Sequence, residues 1–187
     1  KEDKNKTVKY FNSLSIFDHN LNLINSYKKV NLVPFGEFLP FENFLNKFGL
    51  KKITQGHGSF SKGALQENFI FKDLNILPLI CYEIIFSELT QKASSKTNLI
   101  INISEDGWFG DSIGPHQHFA KAIFRSIENN SFLVRSANKG VSAIITNKGE
   151  ITKKLNTYET GSIEMEIPLL NSEYKNKNDL IFFILLF

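Results

Sequence analysis

With 187 residues, 42% of them hydrophobic and 22% charged, the chain has the balance of a globular protein with a sizeable core rather than of a disordered one. A net charge of +3, spread over scattered lysines rather than gathered in a basic stripe with aromatics, argues against a nucleic-acid partner. The single cysteine, Cys81, excludes an internal disulfide framework and leaves the compartment open.

The opening Lys1-Glu2-Asp3-Lys4-Asn5-Lys6 is polar and is not expected to be a signal peptide. Residues 10–17 alternate, with Phe11, Ser13, Ser15 and Phe17 on one face. Asp18-His19-Asn20 turns the chain into a second strand over 23–32, so the pair reads as a hairpin. Residues 38–50 carry Phe38, Phe41, Leu45 and Phe48 at helical spacing. Gln55-Gly56-His57-Gly58-Ser59 is a loop without the ending that a phosphate cradle needs. A strand pair over 68–71 and 74–80 flanks Lys72-Asp73, and residues 82–93 are expected to be helical. Residues 98–103 form a buried strand. Pro115 opens a helix at its favoured first-turn position, with Phe119, Ala122, Ile123 and Ile127 on its apolar face. Strands follow over 132–137 and 141–146, then Asn147-Lys148-Gly149 turns into a hairpin with 150–155, and a last strand covers 161–167. Strands alternating with helices predict a layered α/β fold.

Eighteen phenylalanines fit either a lipid-handling surface or compositional drift, and the cluster Phe35, Phe38, Phe41, Phe44, Phe48 favours the former locally. The tail Leu180 to Phe187 is eight apolar residues, well short of the ~20 of a membrane span. It reads as a spanning helix cut by a fragment boundary, or as a terminal element packed on the core.

Cys81 stands where an apolar strand ends and a helical pattern begins. That turn would lift the thiol out of a sheet, the placement a nucleophile requires; the alternative is a small buried hydrophobe. A cysteine nucleophile also needs a base and a group to hold thiolate charge. His116 and His118, at a helix start, read as capping or surface groups. Lys29 lies in phase with Tyr27 and Asn31 and is either a solvent-facing lysine or a functional one. Glu37 is bracketed by apolar residues after Val33-Pro34-Phe35-Gly36, so its charge is either paired or functional.

The segment Tyr27-Lys28-Lys29-Val30-Asn31-Leu32-Val33-Pro34-Phe35-Gly36-Glu37-Phe38-Leu39-Pro40 resembles a signature of the bacterial apolipoprotein N-acyltransferases, of the nitrilase (carbon–nitrogen hydrolase) superfamily. Ile80-Cys81-Tyr82-Glu83-Ile84 resembles their nucleophile segment. The stretch from Asn102 through Trp108 to His118 resembles the block that follows, with Arg125, Glu128, Arg135, Asn138 and Gly140 falling in the pattern downstream. The resemblance implies an αββα sandwich, here partial and truncated at its N-terminal side. It implies that residues 1–174 are the C-terminal part of a catalytic domain, and 175–187 a polar linker and the start of a transmembrane helix.

The implied chemistry is a Glu-Lys-Cys triad. Cys81 matches the nucleophile that carries the acyl chain as a thioester, Lys29 the lysine that stabilises thiolate and oxyanion, and Glu37 a supporting glutamate. Tyr82 and Glu83 match residues shaping the pocket, and Trp108 is placed in the substrate site. The implied donor is a membrane phospholipid and the acceptor a lipoprotein N-terminus, on the periplasmic side of a bacterial inner membrane, with no metal or organic cofactor. Residues 38–48 would form a mobile, lipid-contacting element.

Two departures stand out: the family's histidine after the lysine is Asn31 here, and its Ser-Asn-Asp-Ala-Trp is Ser104-Glu105-Asp106-Gly107-Trp108. The family's general-base glutamate lies upstream of every block quoted, so no residue here is assigned to it and these residues alone are expected not to turn over. A nitrilase-type amidase acting on small amides and a non-catalytic lipid- or partner-binding module are the competing expectations.

Overall fold

The computed structural model describes residues 8–41, 59–64, 67–91 and 97–170. The chain divides into two units, Lys1–Leu65 and Gln66–Phe187.

In the first unit, β1 (Ser13–Phe17) and β2 (Leu23–Lys28) form the antiparallel hairpin expected from their alternation, with Leu14 opposite Tyr27 and both buried. Asp18 fixes the turn: its Oδ1 accepts from the backbone N–H groups of Asn20 and Asn22. β2 is shorter than predicted. Its ladder ends at Lys28, and the next N–H, of Lys29, reaches the Asn12 carbonyl just outside β1. The chain then turns at Phe35-Gly36-Glu37, and Pro34 forms an isolated bridge to Phe38. The predicted helix over 38–50 is therefore not begun at Phe38, and Phe41 takes a left-handed φ of 52°. The rest of that segment, and all but Ser59 of the Gln55 to Ser59 loop, lie outside the described residues.

The second unit is a six-stranded mixed sheet in the order β3-β4-β5-β6-β7-β8. β3 (Phe69–Phe71) pairs antiparallel with β4 (Leu74–Ile80). β4, β5 (Leu99–Glu105) and β6 (Phe132–Asn138) run parallel. β7 (Ser142–Ile145) and β8 (Ile151–Leu155) close the sheet as antiparallel neighbours. Central β4 is buried from Ile76 to Ile80, the unbroken apolar run expected of a parallel strand covered on both faces. β8 is an exposed edge, and Lys153 and Lys154 on it discourage further pairing.

The connection from β4 to β5 holds a 3₁₀ turn, Cys81–Ile85, and a short helix α1, Ser87–Gln91. The single helix expected over 82–93 is thus broken. Phe86 is extended, with φ −91° and ψ 106°, at the end of an Ile-Ile-Phe run that favours β geometry, and residues 92–96 lie outside the described residues. The connection from β5 to β6 holds a second 3₁₀ turn, Asp106–Phe109, and helix α2, Gly114–Glu128, with Pro115 at its first turn as predicted. Phe119 and Ala122 of α2 join Leu77, Leu79, Ile84, Leu89, Ile100, Leu133, Val141, Ala143 and Ile145 in the core, and Ile123 packs against it, whereas Ile127 is exposed.

The strand predicted over 161–167 is not one. Ile163, Met165 and Ile167 do alternate inward, half-buried, but the stretch joins no ladder. Among the described residues no helix is long and apolar enough to cross a membrane, and residues 175–187 lie outside them.

Candidate active site

Cys81 follows the last residue of β4 and adopts φ 50°, a left-handed conformation that is uncommon for a residue with a side chain. Its thiol lies 3.9 Å from the Glu105 carbonyl, at the end of neighbouring β5. The carboxyl ends of parallel strands are where open α/β sheets place ligands. The peptide group before Ile80, just ahead of Cys81, is gripped at both ends. The Glu83 carboxylate, fully buried, accepts the Ile80 N–H at 2.9 Å, and Asn102 Nδ2 donates to the Leu79 carbonyl at 3.0 Å.

Beneath this turn sits a buried polar network. Register places Leu79 beside Asn102, Asn102 beside Arg135, and Arg135 beside Ala143 across four strands. Arg135, 1% exposed, donates to Asn102 Oδ1, to Asp106 Oδ2 at 2.7 Å and to the Val141 carbonyl at 3.2 Å. Asp106 Oδ1 accepts from Ser104 Oγ at 2.6 Å and lies 2.9 Å from His118 Nδ1, and His118 Nε2 donates to the Cys81 carbonyl at 3.2 Å. Gly140 is required against this network: a Cβ there would stand 2.1 Å from Asp106 Oδ2.

The rim beside Cys81 comes from the last residue of β5 and the turn that follows it. Glu105 Oε1 accepts from Gly107 N–H and Oε2 from Asn138 Nδ2. Trp108 on the following 3₁₀ turn is 62% exposed, with Phe109 and Ile113 also exposed.

In the first unit, Lys29 is 1% exposed and its Nζ lies 3.0 and 2.9 Å from the two oxygens of Glu37. Asn12 Nδ2 also donates to Glu37 Oε1 and the Val33 N–H to Oε2. Gly63 closes this site, its N–H on the Lys29 carbonyl, and a Cβ there would meet the Lys28 carbonyl oxygen at 2.1 Å. A buried ammonium held against one carboxylate is an anchored positive charge, suited to stabilising a thiolate or an oxyanion.

The carbon–nitrogen hydrolase family model matches residues 1–173. The chain belongs to the carbon–nitrogen hydrolase family. It is 41% identical over 161 residues to an apolipoprotein N-acyltransferase of Rhizobium leguminosarum and 39% identical over 161 residues to one of Brucella suis. Each match covers 86% of the chain and 30% of the relative, so the chain spans under a third of the length of these curated relatives. A carbon–nitrogen hydrolase of Helicobacter pylori shares the fold, with TM-score 0.59 at 18% identity, over 81% of this chain and 55% of that one. The α/β class and nitrilase-like sheet expected from the sequence hold.

Within this carbon–nitrogen hydrolase chain the structure joins Lys29 to Glu37, and sets Cys81, Tyr82 and Glu83 on one turn with the Trp108 segment following the neighbouring strand. The surface reading of His118 is overturned: its ring is buried on the inward face of α2, whereas His116 is exposed. Asn102 and Asp106 carry no role in the sequence reading, and Arg135 is only part of a pattern. A polar residue in phase with the buried positions of a core strand, as Arg135 is with Leu133 and Ala137, is the signal that finds them. Among the described residues no three His, Cys, Asp or Glu side chains gather to hold a metal ion.

Burial pushes the Asp106 carboxyl upward, but the His118 hydrogen bond, the Arg135 charge and the Ser104 hydrogen bond outweigh it and hold it below the ordinary 3.8. A depressed folded value means that the ionised carboxylate stabilises the fold above 3.8, and that this contribution is lost as pH falls through the folded value. Melting temperatures between pH 6 and pH 2.5 are expected to fall on the acid side, and Asp106→Asn is expected to flatten part of that limb.

Proposed function

We propose that the protein containing this chain is an apolipoprotein N-acyltransferase working by ping-pong acyl transfer through Cys81, with residues 1–174 forming part of its catalytic domain. The observation that carries the proposal is the identity of about two residues in five, across 86% of the chain, to proteins of that name. Cys81 in a left-handed turn at the end of a parallel strand supports its part in it.

In the first half-reaction the Cys81 thiolate attacks the ester carbonyl of a phospholipid. The C–S bond forms, the C–O bond breaks, and a lysophospholipid leaves with the proton. In the second, the α-amine of a lipoprotein N-terminus attacks the thioester. An amide forms, and the thiol is regenerated with a proton from the amine. Lys29, held by Glu37, supplies positive charge for the thiolate and the tetrahedral oxyanion. Tyr82, Glu83 and Trp108 shape the substrate site. The reaction takes place at the periplasmic face of a bacterial inner membrane, and it calls for no metal or organic cofactor.

The test is to give the full-length protein phospholipid and a diacylated lipopeptide, and separately a small amide. N-acylated lipopeptide without ammonia release supports the reading. Ammonia from the amide with no lipopeptide product overturns it in favour of hydrolysis. In the same assay Lys29→Ala is expected to slow formation of the acyl-enzyme by about 10²–10³-fold, the range for losing one oxyanion-stabilising donor. Lys28→Ala, at the exposed neighbouring position, leaves the rate unchanged.

A further inference from the structure

Cys81 holds a backbone conformation that an L-residue adopts only when its surroundings impose it. Three side chains impose it: Asn102 and Glu83 grip the carbonyl and the N–H of the single Leu79–Ile80 peptide group, and His118 holds the Cys81 carbonyl. The last acts on the nucleophile residue itself. A carbonyl can only accept, so His118 Nε2 carries the hydrogen of that bond. The other edge of the ring is closed by Asp106 Oδ1 at 2.9 Å and Arg135 Nη2 at 3.2 Å. Arg135 also binds Asn102, so two of the three grips share one guanidinium. The ring is buried and lies against Phe109 in a tilted pair, with centroids 5.5 Å apart.

We propose that His118 is a positioning residue for the nucleophile: it holds the Cys81 carbonyl and with it the left-handed turn from which the thiol is presented. His118 Nε2 is bonded to the carbonyl rather than to the sulfur, so it acts through the backbone and not as the base for the thiol. The inference rests on the reading of Cys81 as nucleophile. Its consequence is a fault in geometry rather than in substrate binding, and small misplacements of a reacting group cost up to about a hundredfold in rate.

The experiment compares His118→Ala, His118→Gln and His118→Asn in the full-length protein. It reads acyl-transfer kcat and KM, the rate of Cys81 alkylation by iodoacetamide, and the melting temperature. His118→Ala is expected to lower kcat by about 10–100-fold with KM within about twofold. His118→Gln carries an amide N–H at nearly the reach of Nε2 and is expected to recover most of the loss; the shorter His118→Asn is not. A His118→Ala kcat within about twofold of wild type overturns the proposal, as do equal rates for folded Gln and Asn variants. If His118→Ala does not fold, the Gln and Asn pair decides. Alkylation separates this proposal from the functional one: if wild type transfers no acyl group the function is wrong, while the order of alkylation rates among the variants still tests the positioning.

Discussion

In the full-length protein, Cys81→Ser is expected to reduce acyl transfer at least about a thousandfold while moving the melting temperature by no more than a few degrees. Losing a nucleophile that acts as a unit with its partners costs about 10⁶ in kcat in the best-studied hydrolase, and a serine in its place lacks the acidity to form the attacking anion. The structure separates this from a folding effect. The Cys81 side chain is half-buried, and among the described residues its one hydrogen-bonding contact is a 3.9 Å approach to the Glu105 carbonyl. If Cys81 were instead a small buried hydrophobe, the substitution would cost a little stability and no rate. Initial rates and thermal melts on the same preparation distinguish the two.

The largest expected effect on stability belongs to Arg135. Its side chain and that of Asp106 are both fully buried, and Arg135→Met leaves the Asp106 carboxylate without the cation that faces it at 2.7 Å. Breaking one side of such a pair costs about 3–5 kcal/mol. For a domain of this size, that corresponds to a melting temperature lower by roughly 6–20 °C. Replacing both partners, as Arg135→Met with Asp106→Leu, is expected to recover a large part of the loss, because no unpaired charge remains. A single Arg135→Met variant that melts with wild type would show that the network adds nothing to the fold.

Much of the site was legible because its signals are local. Cys81 sits where a seven-residue apolar strand gives way to a new pattern, and Pro115 marks its helix by chemistry that acts within one turn. Lys29 and Glu37 stood out singly, the first in phase with Tyr27 on a strand and the second bracketed by apolar residues, and their pairing across the turn was not read. What escaped is what depends on register. Asn102 and Arg135 meet because β5 and β6 are parallel neighbours at one offset, which no local pattern reports. His118 reaches the Cys81 carbonyl across 37 residues of sequence, and the helix that carries it had to be placed over the sheet before its inward face had meaning. The broken helix after Cys81 has a simpler cause. The Ile84-Ile85-Phe86 run is apolar at helical and extended spacing alike, and tertiary packing chose the extended form at Phe86. The stretch over 161–167 shows the reverse: alternation reports which side faces inward, and a ladder needs a neighbouring edge as well.

The most direct test is to locate the acyl group. Full-length protein is incubated with phospholipid in the absence of acceptor, digested, and its peptides weighed by mass spectrometry. One added acyl mass is expected on the peptide bearing Cys81, released by hydroxylamine as a thioester is, and absent from Cys81→Ser. An acyl mass on another residue, one that persists in Cys81→Ser, or none in protein that transfers acyl groups at the normal rate would contradict the nucleophile role of Cys81.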